Sequence, residues 1–336
     1  MQPTYRTLGR SALKVSPLCL GSMMFGGPTD EPTAHRIIAR AKDEGVNFLD
    51  TADVYEKGRT EEVVGRALRQ GRDGWVLATK FANAMGPGAN EGGLSRKWIH
   101  QALEGSLRRL GTDYVDILYV HRLTPDPRLD EAVRALGDLI RAGKIRYWGV
   151  SNFRGFRIAE VVRLAERAGV DPPVVSQPLY NIVSRGAELE QLPAAVNCGL
   201  GIVPYSPLAR GVLTAKYVPG AEPPPDTRAG RNDKRILETE WRPESIEVAR
   251  RVAERAASHG ASATEFAIAW VLANRLVTSV IAGPRTEEQW ASYGAALRLR
   301  LTAEDEAFVD ALVSPGHAST HGFNDPAYPP EGRVTL

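Results

Sequence analysis

One pattern dominates this chain. A short apolar run, often β-branched or aromatic, leads into a loop and then an amphipathic helical stretch, and the cycle repeats along most of the length. The runs are SPLCLG (16–21), VNFLD (46–50), WVLATK (75–80), YVDILYVH (114–121), IRYWGVS (145–151), PVVSQP (173–178), GIVPYS (201–206) and TSVIAG (278–283). Between residues 50 and 206 their ends fall 30, 41, 30, 27 and 28 residues apart, which is the length of a βα unit. The intervening stretches carry helix punctuation. Asp30 to Glu44 opens on acidic residues and a proline and stops at Gly45. Ser95 supplies an N-cap for a helix that ends at Gly111, and Gly71, Gly143 and Gly169 close the helices 59–69, 129–142 and 156–168. Further helices are expected at 187–198, 244–258, 262–273, 286–297 and 303–312.

Eight such units with strands rich in Val, Ile and Leu predict an α/β fold, a (β/α)8 TIM barrel. An open doubly wound sheet is the alternative, but GSMMFGG after the first run does not match the G-x-G-x-x-G fingerprint of that fold. TYRTL and LKVSPLCLG flank a turn at Gly9, so an N-terminal β-hairpin is expected at about 4–20. The whole chain, 1–336, reads as a single barrel domain. Its irregular segments are 82–94 after the third strand, 217–243 after the seventh, and the Gly/Pro-rich tail 314–336. The first two leave the C-terminal ends of strands, where barrel enzymes build their sites.

Composition narrows the function. With 42 basic against 40 acidic residues and no basic block, nucleic-acid and membrane-surface roles have no electrostatic footprint. No apolar run is long enough to span a bilayer and the N-terminus lacks an apolar signal region, so a cytoplasmic protein is expected. Cys19 and Cys198 form no C-x-x-C pair and read as small buried hydrophobes. His317 and His321 have the i, i+4 spacing of metal ligands but lie in the Pro/Gly tail, so no metal site is predicted. Only eight of the 42 basic residues are lysine, which singles out Lys80 at a strand end.

In a barrel the strand ends share one mouth. Here they carry Asp50, Lys80, His121, Ser151, Asn152, Gln177 and Tyr205, with Tyr55 in the loop after the second strand. Each has an ordinary reading by itself: a helix-capping Asp, a snorkelling Lys, a core His, an exposed loop aromatic. Together they suit proton donation to a carbonyl oxygen. A free tyrosine, with a pKa of about 10, is too weak an acid. A lysine ammonium about 4 Å away interacts by roughly 4 kcal/mol at an effective dielectric of about 20. That is about three pKa units and brings the phenol to about 7, with desolvation acting the other way. Asp50 then holds Lys80 charged, and His121 hydrogen-bonds the incoming oxygen. Side chains supply no hydride, so a cofactor must.

FLDTADVY, LATK, YVHR, WGVSNF, QPLYN and PYSPLARGVL, in this order, resemble the aldo-keto reductase superfamily over nearly the whole chain, as does RTLGRSALKVSPLCLG at the N-terminus. The likeness is greatest to bacterial members related to potassium-channel β subunits. The resemblance implies reduction of an aldehyde or ketone with NADPH, NADH being the less favoured cofactor, and a small-molecule carbonyl substrate as partner. It carries over a catalytic tetrad of Asp50, Tyr55, Lys80 and His121, with Tyr55 as general acid. Ser151, Asn152 and Gln177 match the residues that bind the nicotinamide carboxamide, and Tyr205 the aromatic stacked on the ring. Ser206, Leu208, Arg210 and Gly211 match the pyrophosphate loop. Gly283, Arg285 and Gln289 match the adenosine end, Arg285 being the partner of the 2′-phosphate. Gly21, Ser22 and Met23, at and after the end of the first strand, complete the cofactor candidates. Ser292 and Tyr293 replace the family's acidic–Asn pair near the adenine. Met23, Met24, Phe25, Trp98 and Trp241 are candidate pocket walls. A cofactor-binding regulatory subunit with little turnover is the alternative function, and a non-redox barrel lyase or isomerase ranks below both. Substrate identity and oligomeric state are not readable at this level.

Overall fold

The computed structural model of the protein describes residues 4–124 and 128–330. It opens with a hairpin of Arg6–Thr7 (β1) and Lys14–Val15 (β2), antiparallel with Arg6 opposite Val15. The expected second arm, LKVSPLCLG, divides at Ser16 and Pro17: β2 stops there, and Leu18–Gly21 (β3) enters the main sheet. Pro17 has no N–H to continue a ladder. Gly9 turns the hairpin at φ +54, and a Cβ there would collide with the Val174 carbonyl oxygen. The turn therefore lies backbone against backbone on the N-terminal ends of barrel strands, and Arg10 N–H donates to the Gly199 carbonyl at 2.7 Å.

Eight parallel strands follow: β3, β4 (Phe48–Asp50), β5 (Val76–Phe81), β6 (Val115–Val120), β7 (Ile145–Ser151), β8 (Val175–Gln177), β9 (Gly201–Ile202) and β10 (Val280–Ala282). They neighbour one another in the order β10-β3-β4-β5-β6-β7-β8-β9. A parallel bridge from Ile202 to Val277 and the bond from Ile281 N–H to the Pro204 carbonyl, 2.9 Å, join the last two strands. The sheet thus closes as a (β/α)8 barrel. Its filling explains how the site is placed. Cys19, Phe48, Ala78, Ile117, Tyr119, Val175, Val203 and Ile281 belong to one buried apolar cluster. Because side chains alternate along a strand, the residue two positions further on projects to the same side, one layer nearer the C-terminal end. Those positions are Gly21, Asp50, Lys80, Tyr119, His121, Gln177, Tyr205 and Gly283.

The helices are α1 (Glu31–Asp43), α2 (Arg59–Leu68), α3 (Arg96–Leu110), α4 (Leu129–Arg141), α5 (Gly155–Ala168), α6 (Gln191–Asn197), α7 (Lys234–Glu238), α8 (Pro243–Ser258), α9 (Ala263–Ala273), α10 (Glu287–Ala296) and α11 (Ala303–Leu312). Ser95 caps α3 as the sequence predicts, and Asp30, expected as the first residue of α1, is its N-cap instead; each accepts a backbone N–H three residues on. The helix expected at 187–198 is shorter. A 3-10 turn, Gly186–Glu188, precedes α6, which starts where Pro193 falls in its first turn and no intrahelical N–H is missed.

The described residues group into two compact units. One takes in the chain to Pro178, Glu190–Tyr205 and Arg275–Ala291, and holds the hairpin and the whole barrel sheet. The other comprises Leu179–Leu189, Ser206–Asn274 and the chain from Ser292. In the second unit Tyr180 packs on Trp270 at 5.3 Å, and Arg185 pairs with Glu188 and Asp310. The segment 217–243, expected as loop, contains α7, capped by Asp233 on the Ile236 N–H at 3.1 Å. The tail is tied down as well: Ser319 N–H donates to the Val183 carbonyl, and Arg242 reaches the Ser319 hydroxyl. Residues 331–336 of the expected tail lie outside the described residues.

Candidate active site

Lys80 is the centre of the site. It is fully buried, and its ammonium uses all three donors: on Asp50 Oδ1, on the Thr51 carbonyl at 2.8 Å and on Tyr55 Oη at 3.2 Å. Burial acts against the charge, but Asp50 and Tyr55 outweigh it and hold the lysine above its ordinary value. Asp50 is steadied on its other side by Gln177, whose amide donates to Oδ2 at 2.9 Å. Tyr55 reaches Lys80 because the chain behind it is bent sharply: Glu56 (φ +46), Lys57 (φ +56) and Gly58 (φ +95) are left-handed in succession. Two of the three are not glycine, a conformation that surrounding structure must impose. The Gly58 position is confined too, since a Cβ there would meet Arg109 Cδ at 2.8 Å.

His121 follows β6, its N–H bonded to the Phe81 carbonyl at 2.9 Å. Its ring stands edge-on to Tyr55, centroids 6.0 Å apart and planes at 85°. Burial, together with the Lys80 and Arg122 charges, pushes its pKa well below the usual histidine value. The shift favours the neutral imidazole. Asn83, three residues after Lys80, places its side-chain nitrogen 2.9 Å from His121 Nδ1. Sequence reasoning did not single out Asn83; the one available signal was its position at the start of the long loop after β5.

The remaining barrel candidates form a connected polar layer. Ser151 Oγ donates to the Gln177 carbonyl at 2.9 Å. Asn152, left-handed at φ +60, donates to the His121 carbonyl and to Ser151 Oγ and accepts from Tyr205 Oη at 2.8 Å. Gly21 lies opposite Asp50 in the strand register, and Ser22 bonds the Asp50 carbonyl through both its N–H and its hydroxyl. Met23 is exposed, whereas Met24, Phe25 and Trp98 are buried. Gly283 follows β10 facing Gly21, whose carbonyl oxygen would lie 3.3 Å from an added Cβ. Gln289 fixes the loop beyond it, its Oε1 accepting the Arg285 N–H at 2.7 Å while Thr29 Oγ1 donates to the Arg285 carbonyl.

The other candidates belong to the second unit. Ser206, Ala209, Arg210 and Gly211 have φ of +56, +48, +54 and +100, with Leu208 between them. Such left-handed runs turn successive N–H groups toward one side, a form suited to phosphate. Arg210 is not a lone cation: its Nε donates to buried Glu240 at 2.9 Å. Trp241 packs edge-on against Tyr217 at 4.6 Å. Among the described residues no group of three His, Cys, Asp or Glu is placed to hold a metal, and no helix is long and apolar enough to cross a membrane.

The pattern of the Aldo/keto reductase family matches residues 17–314. A protein of Arabidopsis thaliana named probable voltage-gated potassium channel subunit beta is 40% identical over 85% of this chain and 88% of its own. One of the same name from Oryza sativa subsp. japonica is 38% identical over 95% of this chain and 99% of its own. An uncharacterized oxidoreductase of Bacillus subtilis is 38% identical, covering 89% and 93% of the two chains.

Proposed function

This chain belongs to the aldo/keto reductase family, and from that premise we propose that it is an NADPH-dependent reductase of aldehydes or ketones with Tyr55 as the proton donor. The observation that carries the reading is the Asp50–Lys80–Tyr55 chain, a buried ion pair with Lys80 Nζ 3.2 Å from the oxygen of the half-buried phenol. As the phenol gives up its proton, the fixed ammonium stabilises the charge left behind without reorganising. Asp50 and Gln177 keep that ammonium charged and in place. Neutral His121 donates a hydrogen bond to the same substrate oxygen and leaves the proton transfer to Tyr55.

The donor chemistry of the chain fits a nicotinamide cofactor. Ser151, Asn152 and Gln177 offer amide and hydroxyl partners for a carboxamide beside the tetrad, and Tyr205 offers an aromatic face. Gly21 and Gly283 stand close together at adjoining strand ends, where a Cβ on Gly21 would meet Ile281 Cγ2 at 2.7 Å. The left-handed run at Ser206–Gly211 has the form for a pyrophosphate, and Arg285 with Gln289 suits a 2′-phosphate. When bound, the cofactor supplies the hydride that no side chain can.

Titrating the protein with NADPH and then NADH by fluorescence tests the cofactor; tight NADPH and weak NADH binding is expected. Tyr55→Phe should then lower kcat on a panel of aldehydes by at least about a thousandfold with NADPH affinity unchanged. Equal loss of both would remove Tyr55 from the proton-donor role. The names of the plant relatives favour a second reading, a cofactor-bearing subunit with little turnover. A single oxidation of bound NADPH without sustained turnover would select it.

A further inference from the structure

We infer that Asn83 is a positioning residue that fixes the tautomer of His121, keeping the ring proton on Nε2, where it is available to the substrate oxygen. The inference rests on the reductase reading for the purpose of that proton, but not for its location. A neutral imidazole carries one N–H, and the nitrogen that accepts a hydrogen bond cannot be the one that holds it. The Asn83 amide nitrogen is a donor and lies 2.9 Å from Nδ1. Nδ1 is thereby the acceptor and the proton belongs to Nε2, which makes no hydrogen bond among the described residues.

The backbone is shaped to hold this contact. Ala82, between the end of β5 and Asn83, is buried and has φ +102, where an L residue with a Cβ is strained. Its carbonyl accepts the Gly93 N–H at 2.9 Å, so the 82–93 loop closes on the strained residue. Within the loop, Met85 N–H donates to the Glu91 carbonyl at 2.8 Å, and Glu91 Oε2 accepts the Gly88 N–H at 2.8 Å. Strain held this firmly beside a reacting group is the mark of pre-organisation. The bend turns the chain at the strand end and presents Asn83 to the ring. On the other strand, the bonds from His121 N–H to Phe81 and from Asn152 to the His121 carbonyl hold the imidazole's own backbone. The asparagine has no charge, so it sets the tautomer without drawing a second proton onto the ring, as a carboxylate there would.

Long-range 1H–15N correlation spectra of protein labelled at histidine nitrogen read the tautomer directly, with or without substrate. The wild-type His121 ring is expected to carry its proton on Nε2; a proton on Nδ1 would overturn the inference. Asn83→Asp, nearly isosteric, replaces the donor with an acceptor and should move the proton to Nδ1. In that variant kcat should fall about a hundredfold at alkaline pH, as for loss of one donor to an oxyanion. It should recover toward acid pH as the ring gains its second proton, with the KM for cofactor unchanged. Lys80, Tyr55 and Arg122 are the other titratable groups around the ring, and the variant leaves all three in place. A variant ring that still carries its proton on Nε2 alone would also overturn the inference. Should the wild-type protein show the Nε2 proton but reduce no carbonyl compound, the reductase reading fails and the assignment of the tautomer stands.

Discussion

Asp50 and Asp53 lie three residues apart on the same turn, both buried, and meet opposite surroundings. Asp50 faces the Lys80 ammonium and the Gln177 amide. Asp53 has neither: its two oxygens find no hydrogen-bond partner of good geometry among the described residues. Burial, with the nearby Glu61 carboxylate adding to it, pushes Asp53 up to about 7, against the pull of Arg109. Glu61 itself is satisfied by Thr79 and Arg109. Burial raises both carboxyls above the ordinary value, but at Asp50 the Lys80 ammonium and the Gln177 amide act against it, whereas at Asp53 a second carboxylate acts with it. On the Asp50 side of the turn the protein supplies a cation and a donor, and the acid is held in a buried ion pair. On the other side it supplies a second acid, and the group becomes a titrating load.

The sharpest way to break the contrast is Lys80→Met, which gives Asp50 the isolation of Asp53. Removing one member of a buried pair typically costs about 3–5 kcal/mol, and that loss is expected in urea unfolding together with loss of reduction. A variant as stable as wild type would mean that the pair is not what keeps Asp50 buried. Asp53→Asn works in the opposite sense. In the native protein Asp53 holds a proton to about pH 7, well above the ordinary carboxyl value of about 3.9. Its contribution to stability is therefore complete below about pH 4 and is lost as pH rises through 7. The asparagine variant should escape this loss and gain up to about 4 kcal/mol relative to wild type at about pH 8, but not at about pH 4. Melting curves that stay parallel across that range would show Asp53 to be partnered after all. The smallest effect belongs to Gln177→Leu, which removes the donor from Asp50 and leaves its cation. About 2 kcal/mol of stability should go, and Asp50 should need a higher pH to stay charged.

What was legible in the sequence follows the periodicities of the chain. The repeat of strand and helix pointed to the barrel, and the predicted strand ends carried Asp50, Lys80, His121, Gln177 and Tyr205 to one mouth. Tyr55 was legible because it stands a fixed distance past Asp50. Asn83 was not, because its placement depends on a left-handed Ala82, and an alanine in the sequence gives no sign of that backbone. Asp53 was passed over for a related reason: its isolation arises from what Glu61, Arg109 and Thr79 do with one another, on three separate elements. The break at Ser16 and Pro17 and the late start of α6, with Pro193 in its first turn, were visible as prolines, but their effect depended on which N–H groups the neighbouring strand or turn required.

The hairpin turn at Gly9 bears on how a chain of this kind can diverge. Its backbone rests directly on the carbonyl of Val174 and the amide of Gly201, with no side chain between to be exchanged for another. Variation at that end of the barrel has almost no material to work with, since even a methyl group collides. The opposite end offers connecting segments such as 82–93, held largely by bonds among their own residues. Inherited change is thereby easier at the end that carries Lys80 and its neighbours than at the end that carries the hairpin.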